Sequence, residues 1–132
     1  MPKRILIVED TPANLYVLQR VFHKEGFETL EATDGKEAIK KVEQERPDVV
    51  LMDMRLPGMS GYEAVAVIHQ KRPSLPIIAV TADALPGDRE WCLNLGCVDY
   101  FSKPIKYRDI VDAVYQILNG RDGPSRSIAP KG

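Results

Sequence analysis

The chain has 132 residues, 44% hydrophobic and 28% charged, which is a one-domain length with the composition of an ordinary globular protein. Its formal charge is −1 and its lysines and arginines are scattered, so no basic stripe points to direct nucleic-acid binding. The longest apolar runs, such as Ile5-Leu6-Ile7-Val8 and Val49-Val50-Leu51-Met52, are too short for membrane insertion, and Met1-Pro2-Lys3-Arg4 leads into a strand-like run without a signal-peptide pattern. Cys92 and Cys97 fit neither CxxC spacing nor a disulfide framework; they read as two reduced, partly buried thiols, and a cytoplasmic address follows.

Along the chain, short apolar runs alternate with longer amphipathic segments. A strand over Arg4–Val8 is followed by a helix over Pro12–Glu25, with Leu15, Leu18 and Phe22 at helical spacing. Thr11 can cap that helix, Pro12 suits its first position and Gly26 can stop it. Phe27–Glu31 reads as a more polar strand, hence one at an edge. A helix over Gly35–Glu45 follows Asp34 as cap, buries Ala38, Ile39 and Val42, and cannot pass Pro47. A buried strand over Asp48–Met52 leads to a helix over Gly61–Lys71, with Ser60 as cap and Val65 and Ile68 inward. A strand over Ile77–Val80 precedes a helix over Pro86–Leu95 that ends before Gly96. A strand over Val98–Phe101 precedes a helix over Tyr107–Leu118, whose Ile110, Val111, Val114, Ile117 and Leu118 form one stripe; Gly120 ends it.

Five βα units in a row predict an α/β fold: a doubly wound parallel sheet, helices on both faces, right-handed crossovers, and the flavodoxin-like strand order 2-1-3-4-5. Residues 1–120 read as the domain; residues 121–132, rich in Gly, Pro and Ser, read as a disordered tail or the start of a linker.

Ligands in open parallel α/β sheets bind beyond the carboxyl ends of the strands. Glu9 and Asp10 follow the first strand, Asp53 the third, Thr81 and Ala82 the fourth, and Lys103-Pro104 the fifth. Three acids crowded in one crevice repel one another, and a divalent cation removes the conflict. Hard oxygen ligands favour Mg²⁺. Lys103 is a point charge able to pair with a phosphoryl oxygen, and the Thr81 hydroxyl can donate to another. Asp53 then reads as a carboxylate nucleophile that forms an aspartyl phosphate.

With these residues in place the chain resembles the receiver domain of bacterial two-component response regulators, over about Lys3 to Leu118. The resemblance rests on Ile7-Val8-Glu9-Asp10, Leu51-Met52-Asp53-Met54, Leu56-Pro57-Gly58-Met59-Ser60-Gly61, Val80-Thr81-Ala82 and Lys103-Pro104, in fixed order. It implies a phosphorylation-operated switch, of the stand-alone chemotaxis type. A sensor histidine kinase or histidine phosphotransfer protein would donate the phosphoryl group of a phosphorelay to Asp53. Asp10 and Asp53 would bind Mg²⁺, with Glu9 helping, through water, and the backbone carbonyl of Arg55 completing the set. Lys103 would pair with the phosphoryl group, across a cis bond to Pro104. Thr81 would move toward it and Tyr100 would turn inward, reshaping the surface of the fourth helix, fifth strand and fifth helix for a downstream protein. The resemblance also marks Arg55 and Asp83 as tuning positions, and their opposite charges suggest an ion pair that slows water attack. Glu9 stands where many receivers carry Asp.

Singly, each of these residues has a plainer reading: a turn acid, a helix cap, a strand-end hydroxyl, a surface lysine. His23 and His69 have no companions at metal-ligand spacing, and Trp91 is either packing or part of a partner face. No GxGxxG or GxxxxGK[ST] supports a nucleotide site. The competing readings are a receiver fragment of a hybrid kinase or multidomain regulator, a Mg²⁺-dependent phosphohydrolase, and a flavodoxin-like redox protein. The phosphohydrolase would want a second acid at Arg55.

Overall fold

Three solid apolar runs become the centre of a parallel sheet because each is buried on both faces. The computed structural model describes residues 2–82 and 84–120; the expected tail at 121–132 lies outside the described residues. The elements are β1 (Arg4–Val8), α1 (Pro12–Lys24), β2 (Glu28–Ala32), α2 (Gly35–Glu45), β3 (Val49–Asp53), α3 (Gly61–Lys71), β4 (Ile77–Thr81), α4 (Asp88–Leu95), β5 (Asp99–Ser102) and α5 (Tyr107–Leu118). The strand order is β2-β1-β3-β4-β5, all neighbours parallel, as the βα pattern predicts.

Strand alternation sorts the core into two layers. Ile5, Ile7, Val49, Leu51, Ile78 and Val80 face α1 and α5, where Phe22, Ile110, Val111 and Val114 close over them. Leu6, Val8, Val50, Met52, Ile77 and Ala79 face the other way, toward Ala38, Val42, Val65, Ile68 and Cys92 of α2, α3 and α4. Each large side chain fully buried in either layer contributes on the order of 1.5–3 kcal/mol.

Several boundaries differ from the sequence reading. Three strands end one residue later than their apolar runs, at Asp53, Thr81 and Ser102, because backbone pairing continues into the polar residues facing the crevice. The Thr81 carbonyl accepts from Lys103 N at 2.8 Å. Asp48 stays outside β3; its carboxylate accepts from Arg4 N at 2.8 Å. The second strand begins at Glu28, since Phe27 N donates to Phe22 O at 3.0 Å in the turn that closes α1. The fourth helix starts at Asp88, not Pro86: Gly87 has φ 90°, and the Asp88 carboxylate accepts from Leu85 N at 2.8 Å to close the preceding turn.

Capping follows the sequence at α2 and α3. The Asp34 carboxylate accepts from Glu37 N at 2.8 Å. Ser60 and Glu63 form a reciprocal box, Ser60 Oγ accepting from Glu63 N at 3.2 Å and Glu63 Oε1 from Ser60 N at 3.1 Å. At α1 the expected Thr11 side-chain cap is absent; its backbone donor is used elsewhere.

Helices α1 and α4 end by one shared device, a left-handed glycine followed by a side chain that folds back. In α1 Gly26 has φ 92°, Gly26 N donates to His23 O at 3.0 Å and Phe27 N to Phe22 O at 3.0 Å. The rings of Phe22 and Phe27 then meet edge-on at 5.4 Å. In α4 Gly96 has φ 120°, Gly96 N donates to Leu93 O and Cys97 N to Cys92 O, both at 3.1 Å. The pair brought together there is Cys92 and Cys97, free thiols that are fully rather than partly buried. Between α3 and α4, Trp91 stacks on Tyr62 with ring centroids 4.2 Å apart.

Candidate functional site

The chain reverses direction across the sheet between β1 and β3, and their carboxyl ends open a crevice there. The register pairs Val8 with Met52, so Glu9 and Asp53 leave adjacent strands at the same level. By strand alternation both belong to the face covered by α1 and α5. Glu9 is 2% exposed and Asp53 5%, whereas Asp10 is exposed. One carboxylate oxygen from each of Glu9, Asp10 and Asp53 lies within 4.8 Å of the others.

Lys103 reaches this cluster from the loop after β5. Its Nζ lies 3.2 Å from Glu9 Oε1 and 3.5 Å from Asp53 Oδ2. Its backbone is pinned to β4 through Thr81 O, and its peptide bond to Pro104 is cis, as expected. Asp53 Oδ1 accepts from Arg55 N at 2.9 Å, which fixes the carboxylate plane. Glu9 Oε2 accepts from Thr11 N at 3.2 Å and from Asn14 Nδ2 at 3.5 Å. Beside the cluster runs a groove lined by Asn14, Lys103, Pro104, Ile105 and Tyr107.

The electrostatics follow from the geometry. Burial raises the Asp53 carboxyl above its usual range; the Arg55 N–H opposes this, Glu9 adds to it, Lys103 opposes it and Asp10 adds to it. For Lys103 burial works against the charge, yet Asp53 and Glu9 together hold the ammonium above its ordinary value. Three carboxylates facing one ammonium leave an excess of negative charge that a divalent cation would neutralise. The donors are all hard oxygens, so the residues present fit Mg²⁺.

The other expected residues are distributed as follows. Thr81, 2% exposed, closes β4 beside the crevice. Alternation puts it on the opposite face of the sheet from Asp53, the face it shares with Tyr100. Tyr100 is half-buried against the α2–α3–α4 layer, and its hydroxyl is buried without a hydrogen-bond partner. Burial, then the Asp88 carboxylate, push its ionisation up to about 12. Arg55 is exposed at the rim; Asp83 lies outside the described residues. Sequence reasoning passed over Asn14. The available signal was its place three residues after Thr11, where a capping box would carry an acid.

The arrangement can bind a divalent cation and present one carboxylate oxygen beside a lysine, a setting for receiving a phosphoryl group. Comparisons with known proteins point the same way. The family model described as response regulator receiver domain matches residues 5–115. The chain is 36% identical over 120 residues to the polar-differentiation response regulator DivK of Brucella anthropi, covering 89% of this chain and 98% of that protein. Among solved structures it is similar to a CheY-like response regulator receiver domain protein of Methanospirillum hungatei, with TM-score 0.86 and 34% identity, covering 90% of this chain and 95% of that one. It is also similar to the receiver domain of sensor histidine kinase PA1611 of Pseudomonas aeruginosa, with TM-score 0.83 and 37% identity, covering 91% and 100%. That structure holds a magnesium ion coordinated in its active-site cleft.

Proposed function

The chain belongs to the response regulator receiver domain family and is a phosphorylation-operated signalling switch, and on that premise we propose that Asp53 is its phosphoacceptor. The observation that carries this reading is the Asp53 carboxylate held 3.5 Å from Lys103 Nζ within a cluster of three acids. Arg55 N–H occupies Oδ1, so Oδ2, the oxygen on the Lys103 side, attacks the phosphorus of a phosphohistidine. The O–P bond forms as the P–N bond breaks, and the leaving imidazole nitrogen takes a proton from solvent. Lys103 pairs with the incoming phosphoryl oxygens.

Asp10, Asp53 and the backbone carbonyl of Arg55 would hold Mg²⁺, with Glu9 as an outer partner. When bound, the cation neutralises charge on the carboxylates and on the transferring group. Thr81 then turns toward the phosphoryl group. Tyr100, on the same face of the sheet, carries the change to the surface of α4, β5 and α5, where a downstream protein docks. Phosphorylation biases this equilibrium through contacts made better in one state. The phosphoryl donor is a sensor histidine kinase or a histidine phosphotransfer protein. The domain assists its own phosphorylation and dephosphorylation but turns over no separate metabolite; Arg55, where a phosphohydrolase would carry a second acid, supports that. Arg55 and Asp83 tune the lifetime of the aspartyl phosphate. The free thiols of Cys92 and Cys97 support a cytoplasmic setting, and no helix among the described residues is long and apolar enough to cross a membrane.

Incubation with acetyl phosphate, read by intact mass, tests the assignment. The expected result is one phosphoryl adduct that needs Mg²⁺ and is lost in Asp53→Asn. An adduct that persists in Asp53→Asn moves the acceptor elsewhere. A second reading, a receiver belonging to a longer protein, is favoured by the likeness to a kinase's receiver domain. Residues 1–120 would then be the receiver module and 121–132 the start of a linker; the length of the native reading frame decides.

A further inference from the structure

We infer that Asn14 is a positioning residue for the metal-binding carboxylates, acting through Glu9; this rests on the reading of the acid cluster as a Mg²⁺ site. The observation lies at the start of α1. In α3 the residue before the helix and the third helical residue cap each other, Ser60 with Glu63. The equivalent pair in α1 is Thr11 and Asn14, and it caps differently. The Thr11 side chain makes no capping bond. Its backbone N–H, which the acid of a capping box would accept, goes instead to Glu9 Oε2 at 3.2 Å. Asn14 offers a donor where α3 offers an acceptor, and aims its amide at the same oxygen, at 3.5 Å. Two donors from the first turn of α1 therefore converge on one oxygen of a carboxylate that is 2% exposed.

The consequence falls on the other oxygen. With Oε2 gripped, Oε1 is turned to Lys103 Nζ at 3.2 Å, nearer than Asp53 Oδ2 at 3.5 Å. Glu9 has one methylene more than Asp and correspondingly more rotamers, so it needs this second grip to hold one orientation in the cluster. A neutral amide supplies it without adding a fourth carboxylate. Asn14 also lines the groove beside Lys103, so it stands at the edge of the site rather than in the core.

Asn14→Leu keeps a side chain branched at Cγ and the helical position, and removes the donor. The unphosphorylated variant, titrated with Mg²⁺ and followed by backbone amide chemical shifts, should show an Mg²⁺ dissociation constant raised about fivefold. That is below the tenfold or more usual for partners of direct ligands, because Thr11 N–H remains on Glu9. The Mg²⁺ concentration giving half-maximal phosphorylation by acetyl phosphate should rise by the same factor, with the maximal rate unchanged. Asn14→Gln, which keeps the amide, should recover most of the affinity. Unchanged Mg²⁺ binding in Asn14→Leu, or no recovery in Asn14→Gln, overturns the assignment. Wild-type protein that binds Mg²⁺ but takes no phosphoryl group would overturn the proposed function while the Mg²⁺ comparison still read out Asn14.

Discussion

The ends of α1 and α4 share one backbone device and are filled in opposite ways. At α1 the side chains brought together are Phe22 and Phe27, rigid rings in the layer under α1 and α5. At α4 they are Cys92 and Cys97, in a layer that also holds Met52, Met54 and Met59. Among the described residues, the three buried polar side-chain atoms without partners are His69 Nδ1, Arg72 Nη1 and Tyr100 Oη. His69 and Arg72 come from α3 and its end, and Tyr100 packs into the α4-side layer, so none belongs to the α1–α5 core. Methionine and small thiols adapt to altered packing, and an unsatisfied hydroxyl weakens the arrangement that buries it. One face of the sheet is therefore packed with rigid side chains and the other with adaptable ones, and the second is the one that carries Thr81 and Tyr100.

The largest expected effect is on the fixed layer. Phe22→Ala should cost about 3–5 kcal/mol in urea unfolding, against about 1 kcal/mol for Cys97→Ala, whose lost sulfur leaves a far smaller void. A Phe22→Ala cost as small as that of Cys97→Ala would mean that the layer under α1 and α5 collapses into the void and is not rigid. The next contrast uses the two glycines. A Cβ on Gly26 meets nothing within 4 Å, so Gly26→Ala should cost only the left-handed backbone penalty of about 1–2 kcal/mol. A Cβ on Gly96 would stand 2.5 Å from the His69 ring, so Gly96→Ala should cost roughly 1 kcal/mol more, recovered in the double variant with His69→Ala. An additive double variant would show that His69 is not the obstacle.

The smallest effect tests the orphan hydroxyl. Tyr100→Phe should stabilise the domain by about 1 kcal/mol, because it removes a buried group without a partner. The same variant has a pH signature. Ionisation of Tyr100 in the folded state is pushed to about 12, above the ordinary 10.0. Between those values the folded state keeps a proton that the unfolded state has lost, so this group makes stability fall as pH rises through that window. Unfolding measured across the window should fall less steeply in Tyr100→Phe. An unchanged slope would mean that the hydroxyl reaches solvent.

The architecture was legible because apolar runs such as Val49–Met52 and the stripe of α5 have the periods that burial imposes. Glu9, Asp10, Asp53 and Lys103 were legible because topology sends strand ends to one crevice. Asn14 was not, since a polar residue in a first helical turn looks like any solvated one until Glu9 is seen to accept from it. The meeting of Cys92 with Cys97 was hidden for a related reason. Five positions apart they suggest nothing, and only the left-handed Gly96 folds one onto the other. Helix starts at Asp88 and strand ends at Asp53 were misplaced by a residue or two because hydrogen bonding, not hydrophobicity, sets them.

The stacked pair of Tyr62 and Trp91 joins α3 to α4 at the margin of the adaptable layer. Trp91 is the chain's single tryptophan and is 52% exposed, so its fluorescence comes from one place, half in water and half against an aromatic face. Any shift of α4 against α3 changes that overlap and with it the colour and yield of the emission. The molecule thus carries an intrinsic optical gauge of the helix expected to move, readable during phosphorylation without attaching a dye.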